Sequence, residues 1–358
     1  MRMSNSQANS KTGAEESFWA VADDLSLTFI LPTRNRREWV GRALDSCLRI
    51  HGPGVRVKIL VVDGHSTDGS YEALEHRYRA DHRVILTRQS ESGGLVSACL
   101  AAVQQVHTPF VTFMFDDDIL SPYWIEMIHA LKRSNGDFAV GFGGVGPVSG
   151  TLQFTQAQRV LTFSPMRLLY AYCGCATEFS HRGLPITPVC CLTRTSLLQE
   201  WARAVGAFTH GNALREHFVI KRAAGWDLMI YFHSLASTQR EIVLVDGIVA
   251  QLSAHDESIS IASNGADLAL SYWLAYVWLC DNLRTTQRHA DAGRCAAYVV
   301  KQGVRLVLKR LRRGKTEWLL ELIMEIWTLL FATVRTDGAR FFMARLFRFL
   351  LPRRYRFL

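Results

Sequence analysis

Three adjacent carboxylates, Asp116-Asp117-Asp118, follow directly on the apolar run FVTFMF at 110–115. They repel one another and nothing nearby in sequence neutralises them. A hard divalent cation such as Mg²⁺ or Mn²⁺, bound through oxygen, relieves that repulsion. In an extended segment Asp116 and Asp118 point to one side and Asp117 to the other. A solvated acidic turn is the alternative reading, but the place at the end of an apolar run favours the metal. A further carboxylate, Asp63, closes the run RVKILVVD at 56–63, and Gly64 after it permits a sharp turn. Ser66, Thr67 and Asp68 then offer capping oxygens to the next helix. A carboxylate placed like Asp63 can accept the imide N–H of a uracil-like base.

These residues need a scaffold, and the pattern around them alternates. SLTFILP (26–32), RVKILVVD (56–63), VILT (84–87) and FVTFMF (110–115) read as buried strands. Between them, residues 35–50, 70–80 and 95–106 read as helices. The first places Trp39, Ala43, Leu44, Cys47 and Leu48 on one face, with Asn35 and Glu38 as a capping pair. Ser121-Pro122 opens another helix, Ser as N-cap and Pro at the first helical position. Strand and helix in alternation with short connections predict a parallel sheet with right-handed crossovers, whose ligands gather beyond the strands' carboxyl ends. Each strand does end in a polar cluster: Thr33-Arg34-Asn35, Asp63-Gly64-His65-Ser66, and the three aspartates.

Four blocks taken together, ILPTRNR (30–36), VVDGHSTDGS (61–70), SGGLVSACLAAV (92–103) and FMFDDDILSP (113–122), resemble the family 2 glycosyltransferases of the GT-A fold. They stand in that family's order and spacing and cover about residues 26–135. The resemblance implies a GT-A-like, Rossmann-type α/β architecture, a mostly parallel sheet flanked by helices. It also implies transfer of a sugar, with inversion, from a nucleotide-diphosphate sugar, assisted by Mg²⁺ or Mn²⁺. By the family pattern Pro32, Thr33, Asn35 and Gly94 border the nucleotide-sugar and Asp63 holds the base. Asp116 and Asp118 take the metal and Asp117 lies nearer the sugar or ribose; many members read D-x-D-D here, which leaves open which two aspartates bind the ion. Inversion needs a carboxylate to take the acceptor's hydroxyl proton. The family's acidic doublet is absent, Ala224 and Gly225 standing in its place, so Asp227 is the expected base, with Glu216 in reserve. QLSAHDESIS (251–260) resembles a block whose His, here His255, touches the diphosphate or the metal.

Charge divides the 358 residues unevenly. Residues 1–262 carry 24 Lys+Arg against 25 Asp+Glu, whereas 263–358 carry 17 against 7. That excludes a protein basic over its whole surface, as a general nucleic-acid binder would be, and points to a local anionic partner for the tail. The division expected is a disordered leader at 1–24, a GT-A domain at 25–262, and a basic, α-helical, membrane-associated region at 263–358. Residues 318–334 are too short and too charged for a confident span, while 339–358 interleave arginines with Phe, Leu and Met, suited to an anionic leaflet. Eight cysteines form no C-x-x-C pair, and the polar N-terminal stretch holds no apolar signal core. The expectation is therefore a cytoplasmic enzyme, peripheral on the inner face of the membrane, acting on a lipid-linked or polysaccharide acceptor. A sugar nucleotidyltransferase is the first alternative, and a catalytically inactive membrane-docked protein of the same fold is the second.

Overall fold

The structure is a computed structural model and describes residues 25–89, 94–147, 149–150, 152–174, 183–185, 187–256, 265–335 and 342–343. The leader 1–24, Ser92 and Gly93 of the third block, and the tail arginines 340, 345, 348, 353, 354 and 356 lie outside the described residues.

Four strands are those expected from the apolar runs: β1 (Ser26–Thr33), β2 (Arg56–Asp63), β3 (Val84–Arg88) and β4 (Phe110–Phe113). They pair in parallel in the order β3-β2-β1-β4. Helices α1 (Val40–Leu48), α2 (Ser70–Tyr78) and α3 (Leu95–Gln104) make the crossovers. The register sets Thr33 beside Asp63 and Asp63 beside Arg88, so the functional ends of three strands lie in one row. The chain runs from β1 outward to β3 and returns to β4 on the other side of β1. That reversal opens a crevice at the carboxyl edge.

The expected Asn35/Glu38 cap is not formed. Helix α1 begins later, with Trp39 at its N-cap, and Asn35 sits in the left-handed region at φ 55°. Its side chain instead accepts from Thr67 N at 2.8 Å, while its own N–H donates to Ser66 Oγ at 2.9 Å. Asn35 thus staples the loop after β1 to the loop after β2. The Ser121-Pro122 start does form, Ser121 Oγ accepting from Tyr123 N at 3.1 Å ahead of α4 (Glu126–Ser134).

The second half of the sheet was not legible. It comprises β5 (Ile119–Leu120), β6 (Phe138–Pro147), β7 (Val160–Phe163), β8 (Cys191–Arg194) and β9 (Ile242–Ala254). Antiparallel β8 joins β4 to β6, and β6 lies parallel to β9. Strand β9 also carries β5 and β7, both antiparallel. Helices α5 (Pro165–Tyr172), α6 (Thr195–Thr209) and α7 (Trp226–Ser237) cover the same sheet face as α3. Helices α1, α2 and α4 cover the other.

Helices α8 (Gly265–Thr285), α9 (His289–Arg312) and α10 (Leu319–Val334) belong to the α3 face and share its core, which Phe342 also enters. Glu325 of α10, one of the charges in the stretch 318–334, is buried. Arg215 grips it bidentately, Nε to Oε1 at 2.8 Å and Nη2 to Oε2 at 2.7 Å, and Asn212 adds a third bond. A buried pair satisfied this fully fixes geometry more than it adds stability, but losing one partner is costly. Among the described residues no helix is long and apolar enough to cross a membrane.

Candidate active site

A cleft of about 690 Å³ lies at the carboxyl edge of the parallel strands. Pro32, Thr33, Gly94, Asp116, Asp117, Asp118 and Asp227 all line it, so residues spread over nearly 200 positions converge there as expected. Asn35 and Glu216 do not line it. Glu216 is half exposed on a π-helical turn, Glu216–Lys221, and pairs with Lys221 Nζ at 3.2 Å.

Asp63 is fully buried beside the cleft, between the lining residues Val62 and Gly64. Its Oδ1 accepts from Ser66 N at 2.9 Å, and Arg88 Nε stands 3.6 Å from the same oxygen. Among the described residues Oδ2 has no hydrogen-bond partner. A buried carboxylate oxygen left without a donor is costly, and a ligand N–H would satisfy it. Gly94 precedes α3 at φ 85°, a conformation that requires glycine although a Cβ there would meet nothing within 4 Å among the described residues.

The three aspartates occupy distinct environments. Asp118 is buried and its Oδ1 accepts from Ser253 N of β9 at 2.9 Å. Burial first, then the charge of Asp117, pushes its carboxyl well above the ordinary range. The same two causes raise Asp116 to about 7. Asp117 takes a different partner, His255 Nε2, at 2.7 Å, and the His255 ring packs 4.4 Å from Trp39. His255, expected near the diphosphate or metal, is thus joined to the middle aspartate, Asp117.

Among the described residues no three His, Cys, Asp or Glu side chains converge as a ready-made metal cage. The donor set present still fits a hard cation. Two carboxyls that burial and mutual repulsion hold short of full ionisation gain from a dication beside them. Mg²⁺ in particular binds through one or two carboxylates and completes its shell with phosphate oxygens and water.

Asp227, in the first turn of α7, lines the same cleft as these aspartates. Trp226 locks that turn: its ring stands edge-on to Phe113 at 5.2 Å and to Phe115 at 6.1 Å, on the segment that carries the aspartates. Asp227 Oδ1 accepts from Leu228 N at 2.8 Å and Oδ2 from the Tyr272 hydroxyl at 3.1 Å. Burial raises the carboxyl to about 6, against the pull of those two donors.

At the second position of the missing doublet, Gly225, a side chain is sterically excluded. Gly225 stands at φ 83°, and a Cβ on it would lie 2.5 Å from the Ser271 carbonyl oxygen of α8. No acid fits there while α8 packs so closely. The same helix returns a functional group, since Tyr272 and Leu268 line the cleft. Sequence reasoning assigned α8 to the tail and so missed Tyr272; its apolar surroundings carried no signal of chemistry. Lys221 and Arg222 were likewise unanticipated; both line the cleft, Lys221 paired with Glu216 and Arg222 standing 3.6 Å from Asp267.

Comparison with known proteins agrees with this geometry. The glycosyl transferase family 2 model matches residues 28–205. Glycosyltransferase GlyA of Streptococcus pneumoniae serotype 4 is 30% identical over 122 residues, 34% of this chain, and the match covers 17% of that protein's length. Among solved structures, S. aureus TarS 1–349 in complex with UDP-GlcNAc superposes with a TM-score of 0.59 at 13% identity, covering 90% of both chains. That likeness is one of fold. Through residues 28–205 the chain belongs to glycosyl transferase family 2, on a GT-A fold.

Proposed function

We propose that this protein moves a sugar, with inversion, from a nucleotide-diphosphate sugar to a hydroxyl of a lipid-linked or polysaccharide acceptor. The observation that carries the proposal is Asp227: a carboxylate raised to about 6, in the cleft with the three aspartates and held by Tyr272. A base of that strength is mostly ionised at neutral pH and yet able to hold a proton. UDP-GlcNAc bound to TarS, a protein of like fold, supports a nucleotide-sugar donor. The unpartnered Oδ2 of Asp63 supports a base that presents an N–H.

In this reading Asp63 and the Pro32–Thr33 edge seat the nucleotide, and Gly94 lets the chain pass close to it. The acceptor oxygen attacks the anomeric carbon while Asp227 removes its proton. A glycosidic bond forms, the bond from that carbon to the diphosphate breaks, and the electron pair leaves with the diphosphate. Asp116 and Asp118 would hold a divalent cation, which when bound supplies positive charge to the leaving group. Arg222 and Lys221 add fixed positive charge to the same cleft. His255 keeps Asp117 oriented through its 2.7 Å contact.

The test is release of nucleotide diphosphate from a panel of sugar nucleotides, with Mn²⁺, in the presence and absence of acceptor. Release that rises with acceptor for one donor supports transfer. Pyrophosphate formation from a nucleoside triphosphate and a sugar phosphate would indicate a nucleotidyltransferase instead, and binding without turnover of any donor would indicate an inactive relative.

A further inference from the structure

Helix α10 turns an apolar stripe away from the protein. Leu320, Met324, Trp327, Phe331 and Val334 recur at intervals of four and three, and each is 56–69% exposed. Leu322, Glu325, Ile326, Leu329 and Thr333 fill the opposite face against the core. The stripe therefore covers one side of the helix for about 21 Å. Monomeric proteins rarely leave such a patch without a partner. The neighbouring α9 repeats the pattern in shorter form, with Val304, Leu308 and Leu311 all exposed.

We propose that this outer face of α10 docks on an anionic lipid bilayer. Charge chooses the occupant. Arg312 and Arg313 precede the stripe and Arg335 closes it, its guanidinium 3.8 Å above the Phe331 ring, against two exposed acids, Glu317 and Glu321. A second copy of the chain would bring the same basic rim against itself. The chain's own residues 336–358 carry six arginines and one aspartate, so they too would meet like charge. Anionic headgroups complement the rim, and a stripe of Leu, Met, Trp and Phe suits the boundary of headgroup and acyl chain. Glu325, locked to Arg215, sets the roll of α10 so that the stripe faces outward. The proposal rests on α10 alone and stands apart from the transferase reading.

The full-length chain is tested by co-sedimentation with vesicles of phosphatidylglycerol and phosphatidylethanolamine, and with vesicles of phosphatidylcholine alone. The double variant Trp327→Ser/Phe331→Ser is expected to lose at least roughly tenfold in partitioning to anionic vesicles, since two large apolar side chains no longer leave water. Its thermal unfolding should match wild type, both residues being exposed. Seven of the eight cysteines are buried. A nitroxide on Met324→Cys, in a Cys175→Ser background, should therefore report the face directly. It is expected to move freely in lipid-free protein and to enter the bilayer boundary when anionic vesicles are added. Wild-type partitioning by the double variant would overturn the proposal. So would a label already immobilised without lipid, which would place a second copy or the chain's own tail on this face.

Discussion

Replacing Asp227 with Asn should make the protein more stable and far less active, in a pH window that the burial of this side chain defines. The carboxyl is raised from 3.8 to about 6, with burial the leading cause. At 1.36 kcal/mol per tenfold, holding it ionised costs the folded state about 3 kcal/mol. The sign follows from proton binding. Between about pH 4 and pH 6 the folded chain binds this proton and the unfolded chain releases it, so wild-type stability falls as pH rises. Above about 6 both states are ionised and the full cost persists. Asn pays none of it, keeps a carbonyl oxygen for Leu228 N and turns its amide toward Tyr272. Urea unfolding should therefore show no pH-dependent gap at pH 4 and a gap approaching about 3 kcal/mol at pH 8, or about 4 °C in thermal midpoint for a chain of this size. Transfer should fall roughly 10²–10⁴-fold, the scale of general-base loss, with donor affinity nearly unchanged. Parallel stability curves for the two proteins from pH 4 to pH 8 would refute the argument that burial tunes this base.

Three further outcomes follow from the same geometry. Tyr272→Phe removes the 3.1 Å hydroxyl donor to Asp227, so the acidic limb of the kcat profile should move to higher pH while donor KM holds; an unmoved limb would show that the contact does not act on the base. Asp116→Ala and Asp118→Ala should each lose roughly 10²-fold or more in turnover and weaken Mn²⁺ binding in calorimetry, whereas wild-type turnover undiminished by excess chelator would contradict a metal at this site. Gly225→Ala forces a Cβ to within 2.5 Å of the Ser271 carbonyl at φ 83°, so thermal unfolding should drop by a few degrees, and an unchanged midpoint would mean that α8 is free to move away.

Much of the catalytic half was legible because each signal there has a local cause. The strands at 26–33 and 56–63 end in polar residues, the apolar run at 110–115 leads straight into the aspartates, and the sheet's register then brings Thr33 beside Asp63 without further instruction. Asp227 stands out only through the family resemblance, as the acid that remains where Ala224 and Gly225 replace the acidic doublet. The second half hid its strands. Strand β6 reads FAVGFGGVGP, with four glycines and shifted register against β9. Strand β9 is buried over most of its length on both faces, so it shows no alternation. Tyr272 depends on how α8 packs beside Gly225, a long-range fact absent from either segment. Asn35 misled for a related reason: its side chain caps a distant loop, a pairing 32 residues away that outcompetes the local helix.

Inverting transfer with Asp227 as the base makes one stereochemical outcome obligatory. Proton NMR of the anomeric region during turnover, with the donor found active in the nucleotide-release panel, tests it most directly. Wild type should form a product whose anomeric configuration is opposite to that of the donor, and Asp227→Asn should not form it at a comparable rate. Retention of configuration, or equal product formation by the variant, would contradict it.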